Sequence, residues 1–315
     1  MWGHTLTMTM KPKRAEVDPA VAELIRPGQS IALLKALHIL TREGRLNQDS
    51  RRKLKQVYHL FQFIETLLQE WLANEPKSAP GLPSKGPTLA DHGAGKSYLG
   101  FIIYDLFIKA LGRGHIYGVE TRAELVERSQ AMAAEMGFER MTFVHTTVAE
   151  ATGDTRLPEQ IDVVTALHAC DTATDDAIAF GLAKQARYMV LVPCCQAELA
   201  SHLRQNKALF LKQTPLAELW RHPLHTREMG SQLTNVLRCL YLESQGYEVT
   251  VTELVGWEHS LKNELILAKK GPIGSAQRQG QGQGQRAGSA AERLRALLAE
   301  FGLQALASTR FPLLA

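Results

Sequence analysis

Cysteine is scarce in this chain of 315 residues: there are four, two of them adjacent at Cys194 and Cys195. So few, so placed, make no disulfide framework and fit a reducing, cytoplasmic setting. No uninterrupted apolar run approaches the roughly 18 residues that a membrane-spanning helix needs. The most apolar stretch, Leu99 to Leu111, is broken by Asp105 and Lys109. The opening residues, MWGHTLTMTMKPKR, lack the contiguous apolar segment of a secretory signal. No internal repeat is visible. No C-x-x-C pair exists either, and adjacent cysteines chelate one tetrahedral ion poorly, so no metal site is expected.

Apolar residues make up 45% of the chain, enough for one sizeable core and an accessory piece. The net charge of +4 is unevenly placed. Residues 1–80 hold twelve Lys or Arg against eight Asp or Glu, and the excess sits in TREGRLNQDSRRKLK, with six basic and two acidic residues between Arg42 and Lys55. Such a run is either a solvated helix face or a surface for the phosphates of a nucleic acid.

Apolar residues recur at helical spacing from about Asp18 to Ala73, which predicts a helical N-terminal region over residues 1–80. The stretch NEPKSAPGLPSKGP, with four prolines and two glycines, then marks a boundary. Residues 81–272 alternate strand and helix patterns: TLADHG, a helix over Ser97–Leu111, HIYGVE, a helix over Ala123–Met136, MTFVHTTV, IDVVTALHAC, a helix over Thr174–Lys184, and ARYMVLVPCC. This order predicts a parallel α/β sheet covered on both faces. A helical stretch follows over Ala197–Leu219 and another over Gln232–Gln245. YEVTVTELV and NELILAKK then read as a late antiparallel pair at the sheet edge. Residues 273–289 are rich in Gly and Gln and read as a flexible linker. Residues 290–315 carry Leu294, Leu297, Leu298 and Phe301 at helical spacing, a helix that needs a groove in its own core or on a partner.

The loop ADHGAGKSYLG, Ala90 to Gly100, ends like a nucleotide-triphosphate P-loop at Gly95-Lys96-Ser97. Glycine is missing where that motif needs it, at Ala90, and Asp91 would set a carboxylate among phosphate oxygens. A dinucleotide loop needs G-x-G-x-x-G, but here Gly93 and Gly95 are followed only by Gly100. An adenosyl cofactor bearing a sulfonium and an ammonium, and no phosphate, suits an acidic residue beside a Gly-rich turn. Glu120 ends the second strand, where a carboxylate accepts both hydroxyl protons of a ribose; otherwise it is an ordinary acid at a helix N-terminus.

With that loop and acid, the chain resembles class I S-adenosylmethionine-dependent methyltransferases, a Rossmann-like fold. His168-x-Cys170-x-x-Ala173-Thr174-Asp175 and Cys194-Cys195 resemble a subgroup that includes tRNA acceptor-stem 2′-O-methyltransferases and methyltransferase-like proteins of uncertain substrate. The likeness covers roughly residues 85–270. The chain departs from the subgroup at Asp171, where glycine is usual, and at Gln196, where the tRNA enzymes often have histidine; no cysteine precedes Cys170. These departures concern the acceptor, not the cofactor.

The resemblance implies that S-adenosyl-L-methionine is held by Asp91, Gly93 and Gly95, with Glu120 at the ribose. Thr147, after the third strand, and His168, at the end of the fourth, complete the expected cofactor contacts. The acceptor side offers several chemistries. Asp171 or Asp175 could act as a base or orient the acceptor, although Asp175 suits the first turn of a helix equally well. Cys170 and Cys194 are candidate nucleophiles, or small buried hydrophobes. Lys96 either reaches the acceptor or is solvated, and Trp257, His259, Lys262 and Asn263 form an expected lip over it. The expected acceptor is RNA, tRNA or rRNA, held through the basic Arg42–Lys55 region, with the ribose 2′-oxygen favoured by resemblance over a base; the alternatives are a protein or small-molecule acceptor, or a cofactor-binding module without catalysis.

Overall fold

The computed structural model describes residues 19–75, 84–167, 171–193, 197–206, 218–219, 221–254, 264–271 and 288–314. The chain divides into two compact units, residues 1–55 and 56–315, within one long helix.

The first unit holds α1 (Pro19–Ala22), α2 (Ile31–Ala36) and the start of α3 (Gln48–Ala73). The single helical pattern expected here is interrupted by turns at Gly28 and Gly44, both at positive φ. Each break is followed by a capping side chain. Ser30 Oγ accepts from the Leu33 N–H at 3.2 Å and starts α2, and Asn47 Oδ1 accepts from the Ser50 N–H at 2.7 Å at the head of α3. Leu33, Leu34, Leu37, Leu40 and Leu54 are buried. Arg42, Arg45, Arg51, Arg52, Lys53 and Lys55 are all exposed.

The second unit is built on a seven-stranded sheet in the order β3-β2-β1-β4-β5-β7-β6. Its strands are β1 (Thr88–His92), β2 (His115–Glu120), β3 (Met141–His145), β4 (Val163–Leu167), β5 (Tyr188–Val192), β6 (Tyr247–Glu253) and β7 (Glu264–Lys270). β1 to β5 run parallel, while β7 is antiparallel to both β5 and β6. The register of the last pair runs from Tyr247 opposite Lys270 to Glu253 opposite Glu264. β5 is a run of apolar residues buried throughout, as a strand covered on both faces must be.

The helices between strands are α4 (Tyr98–Ile103), a π-helical turn (Tyr104–Ile108), α5 (Lys109–Leu111), α6 (Ala123–Glu135), α7 (Val148–Ala151) and α8 (Ala173–Ala183). The expected Ser97–Leu111 helix therefore carries a π turn in its middle. The later part of α3 buries Phe61, Ile64, Leu68 and Trp71, and Trp71 Nε1 donates to Asp162 Oδ1 at 2.7 Å. Asp162 Oδ2 accepts from the main chain and hydroxyl of Thr88 at 2.9 and 2.8 Å, which ties that helix to the start of β1.

After β5 come α9 (Glu198–Asn206) and α10 (Pro223–Ser244). α10 begins nine residues before the expected Gln232. Pro223 at its first turn was the available start signal, since a helix needs no N–H there. Gly230 lets α10 approach α9: a Cβ there would lie 2.9 Å from the Ala200 main chain.

The chain ends in α11 (Ala290–Glu300), α12 (Leu306–Arg310) and a 3-10 turn (Pro312–Leu314). A capping box of Ser289 and Glu292 starts α11. Leu294, Leu298, Phe301, Leu303, Leu306 and Phe311 are buried in the same core cluster as Leu233 and Leu237 of α10 and the strand residues Val164 and Met189. Arg293 pairs with Glu243, and Arg310 forks onto Glu198 at 2.8 and 2.5 Å. Of the two grooves the spacing allowed, its own core or a partner's, the apolar face of α11 takes the first. Leu298→Ala should then lower stability by about 2–5 kcal/mol, the range for emptying a buried leucine site. A urea midpoint within error of the wild type would show that α11 is peripheral.

Candidate functional site

Reading outward across the sheet, the chain moves one way from β1 through β2 to β3 and the other way from β4 to β5. The reversal between β1 and β4 opens a crevice at their carboxyl ends, the usual ligand site of such sheets. Asp91 and Glu120 both lie there, at the ends of β1 and β2, each 5% exposed.

The loop after β1 turns sharply. Gly93 and Gly95 have φ of +66° and +57°, conformations costly for any residue with a side chain, and Ser97 also has φ of +50°. The N–H groups of Gly93 and Ala94 donate to Val119 O at 2.9 and 3.1 Å, which pins the turn to β2. The Gly95 N–H, which a P-loop would aim at a phosphate, donates to Glu120 Oε2 at 2.8 Å. Lys96 is exposed.

The two acids are held differently. Asp91 Oδ1 accepts from the Thr165 hydroxyl at 2.6 Å, across the β1–β4 pair in which Asp91 and Thr165 are register partners. Burial pushes its carboxyl up to about 6, opposed by the Thr165 bond and reinforced by the charge of Glu120. Burial also works against the charge on Glu120. There the bonds from the side chain and main chain of Arg122 and from Gly95 outweigh it and hold the carboxyl below its usual range. Glu120 Oε1 accepts from Thr121 N at 3.0 Å, Arg122 N at 3.1 Å and Arg122 Nε at 3.1 Å, while Arg122 Nη2 reaches Oε2 at 3.3 Å.

These residues fit a cationic adenosyl cofactor. Two buried carboxylates meet one guanidinium in this cluster, which leaves an excess of negative charge at the crevice, and a sulfonium and an ammonium would balance it. A polyphosphate would meet that charge with repulsion.

His92, next to Asp91, is fully buried with its ring edge-on to Phe180, centroids 4.3 Å apart. Neither ring nitrogen has a hydrogen-bond partner among the described residues, and burial pushes the imidazole down to about 3, so it is neutral.

The acceptor-side candidates sit elsewhere in the bonding pattern. Asp175 faces Arg238 of α10, whose side chain is 1% exposed. Nε and Nη2 reach the two carboxylate oxygens at 2.8 and 2.7 Å. Arg238 Nη2 also donates to Asp171 O at 2.7 Å and Nη1 to Asn235 Oδ1 at 3.3 Å, while Asn235 Nδ2 donates to Glu264 at 2.7 Å. Asp171 has φ of +50°, and its Oδ1 accepts from Ala197 N and Glu198 N at 3.0 and 3.1 Å, which caps α9. In this structure Asp171 Oδ1 thus caps α9, and Asp175, in the first turn of α8, holds a buried ion pair with Arg238. A small cavity of about 20 Å³ beside them, lined by Thr234, Leu237, Leu306 and Phe311 among others, is room for one water. Thr147 is likewise committed, as the N-cap of α7 in a capping box with Glu150.

His168, Cys170, Cys194, Cys195, Trp257, His259, Lys262 and Asn263 lie outside the described residues. Cys239, the one described cysteine, has its thiol pushed up to about 12 by burial and by the nearby Glu264 and Glu243. Among the described residues no group of three or more His, Cys, Asp or Glu could hold a metal ion, and no helix is long and apolar enough to cross a membrane.

Thr165, Arg122 and Arg238 were not anticipated from the sequence. Thr165 is the one polar residue of β4 and could have been found as the register partner of Asp91. Arg238, set among apolar helix positions, carried no signal.

A family model described as "Methyltransferase domain" matches residues 52–202. No curated protein matches the chain. Among solved structures, TrmK of M. capricolum with S-adenosyl-homocysteine is similar at 9% identity and a TM-score of 0.37, over 58% of this chain and 62% of TrmK. Magnesium protoporphyrin IX methyltransferase (ChlM) of Synechocystis PCC 6803, also with bound SAH, is similar at 16% identity and a TM-score of 0.41, over 77% and 95% of the two chains. Fibrillarin of Methanococcus jannaschii is similar at 11% identity and a TM-score of 0.36, over 62% and 70%. Likenesses this distant say nothing of substrate. The family match over residues 52–202, just under half of the chain, agrees with the sheet order and the carboxylate pair on the Gly-rich loop in pointing to an S-adenosylmethionine-dependent methyltransferase.

Proposed function

We propose that the chain methylates RNA in a reducing, cytoplasmic setting, with the ribose 2′-hydroxyl as the favoured acceptor, and that it belongs with the subgroup that carries the His168–Asp175 and Cys194-Cys195 motifs. Asp91, Gly93, Gly95 and Glu120 hold the cofactor in this reading. The observation that carries the RNA assignment is the exposure of all six basic residues between Arg42 and Lys55.

When bound, the cofactor supplies a methyl group on a sulfonium. The chain supplies position. Glu120 offers the carboxylate for a ribose diol, and Asp91 presents negative charge from a buried site that Thr165 orients. Orienting acceptor and methyl in line can itself remove several kcal/mol of barrier. On the acceptor side, Asp171 or Asp175 acts as the base or orients the acceptor in this reading, Lys96 reaches toward it, and Cys170 and Cys194 are the candidate nucleophiles.

Incubation with labelled cofactor and total RNA is expected to label RNA; label entering protein or a small molecule instead would overturn the RNA reading. Replacing Arg42, Arg45 and Arg51 together by alanine should weaken RNA binding evenly across sequences and flatten its salt dependence by about three ions. An unchanged salt slope would make the basic run a solvated face only.

A further inference from the structure

Glu120 is fully subscribed. A carboxylate offers about four lone-pair sites. Oε1 already accepts from Thr121 N, Arg122 N and Arg122 Nε, and Oε2 from Gly95 N and Arg122 Nη2. A ribose can bind this acid only where a donor leaves. Three of these donors are main-chain N–H groups, fixed by the loop after β1 and by the start of α6. The Thr121 hydroxyl adds a longer contact to Oε1 at 3.3 Å, and the two remaining donors belong to Arg122, whose side chain is 59% exposed and which alone spans both oxygens from a side chain.

The two guanidinium donors fall one on each carboxylate oxygen, Nε on Oε1 and Nη2 on Oε2. A vicinal cis-diol makes the same demand: two donors on adjacent atoms, one for each oxygen. The guanidinium also lies beside the Gly-rich turn, 3.8 Å from where a Cβ on Gly95 would sit. We propose that Arg122 is an intramolecular stand-in for the ribose: its fork occupies the diol subsite of Glu120, and the cofactor binds by displacing it. The proposal rests on the reading of Glu120 as the ribose acid.

The displacement explains how a nearly buried acid stays charged without a ligand. A carboxylate at this depth is costly unless paired, and Arg122 pairs it reversibly because its own head faces solvent. Arg122 then sets the affinity for every adenosyl ligand of this site, the product as well as the substrate.

The test is calorimetric titration of the full chain with S-adenosylhomocysteine. Arg122→Ala should tighten binding about two- to fivefold at low salt, the effect of losing one exposed competitor pair. The gap should close as salt rises, because salt screens the pair in the wild type but has nothing to screen in the variant. Arg122→Lys, a point charge without a fork, should fall between the two. Weaker binding by Arg122→Ala would make Arg122 a ligand-holding residue, and equal binding at all salt concentrations would make it a bystander; either overturns the proposal. Failure of the underlying reading looks different: Glu120→Ala would then bind as the wild type does, or neither protein would bind.

Discussion

Glu120→Ala is expected to bind S-adenosylmethionine at least about 100-fold more weakly than the wild type, and Asp91→Ala should lose binding as well. Hydrogen bonds to a charged acceptor are worth about 1.5–3 kcal/mol each, and Glu120 would lose two from the ribose, which sets that factor. Asp91 acts by charge, so its effect should depend on pH. Its carboxyl sits at about 6 in the free protein because it is buried beside another acid. A cationic ligand favours the ionised form and lowers that value on binding. Affinity should therefore be flat above about pH 6 and fall as pH drops below it, by up to about tenfold per unit. Asp91→Asn should bind poorly and show no such slope. The sign for stability is opposite. Because the folded pKa lies above the unfolded one, Asp91 stabilises the fold when protonated, and that contribution is lost as pH rises from about 4 to 6. Asp91→Asn should thus make the unliganded protein more stable at neutral pH while disabling it. Wild-type affinity that does not change between pH 5 and 8 would remove Asp91 from the cofactor site.

Arg238→Met should cost about 3–5 kcal/mol, the largest loss of stability expected from a single side chain here. Its guanidinium is 1% exposed and binds both oxygens of Asp175, so removing it strands a carboxylate at 11% exposure. It also releases Asp171 O and Asn235 Oδ1, which lose a buried donor each. Pairing it with Asp175→Leu should recover much of the loss, because a buried ion pair replaced by apolar groups is often near neutral. Chemical denaturation of the two single variants and the double variant gives the cycle. Additive losses would show that the pair is not coupled. Cofactor affinity should survive in Arg238→Lys if the network serves the acceptor side alone, since no bond joins it to Asp91 or Glu120 among those described.

How much of this was legible in the sequence follows from the range of each interaction. β2 matched HIYGVE residue for residue, because its apolar pattern and the preceding Gly112 and Gly114 are local signals. The places of Asp91 and Glu120 at the carboxyl ends of β1 and β2 were legible as well, since they follow from strand order alone. The commitments of Asp171 and Asp175 were not. Each is settled by a residue far along the chain, Glu198 for one and Arg238 for the other, and no local spacing encodes such a pairing. Arg122 was overlooked for a different reason. It stands two residues from Glu120, but its relation to that acid depends on the geometry of the β2–α6 turn, not on its being basic. The burial of Leu294 and Leu298 illustrates a third case: amphipathic spacing foretells that a helix face will be covered, and says nothing of what covers it.

The edge hairpin has a consequence for how this fold could change. Glu253 and Glu264 stand opposite each other in the last register pair of β6 and β7, so the two positions that bound this connection are held a fixed distance apart. Closing a loop across a fixed gap grows costlier only slowly with its length, by about 0.6 kcal/mol for each doubling. Insertions or exchanges there leave the strands, the β1–β4 crevice and the carboxylate pair where they are. A change of chain length between these two positions therefore costs this frame little, and it is where the domain can be altered without a new fold.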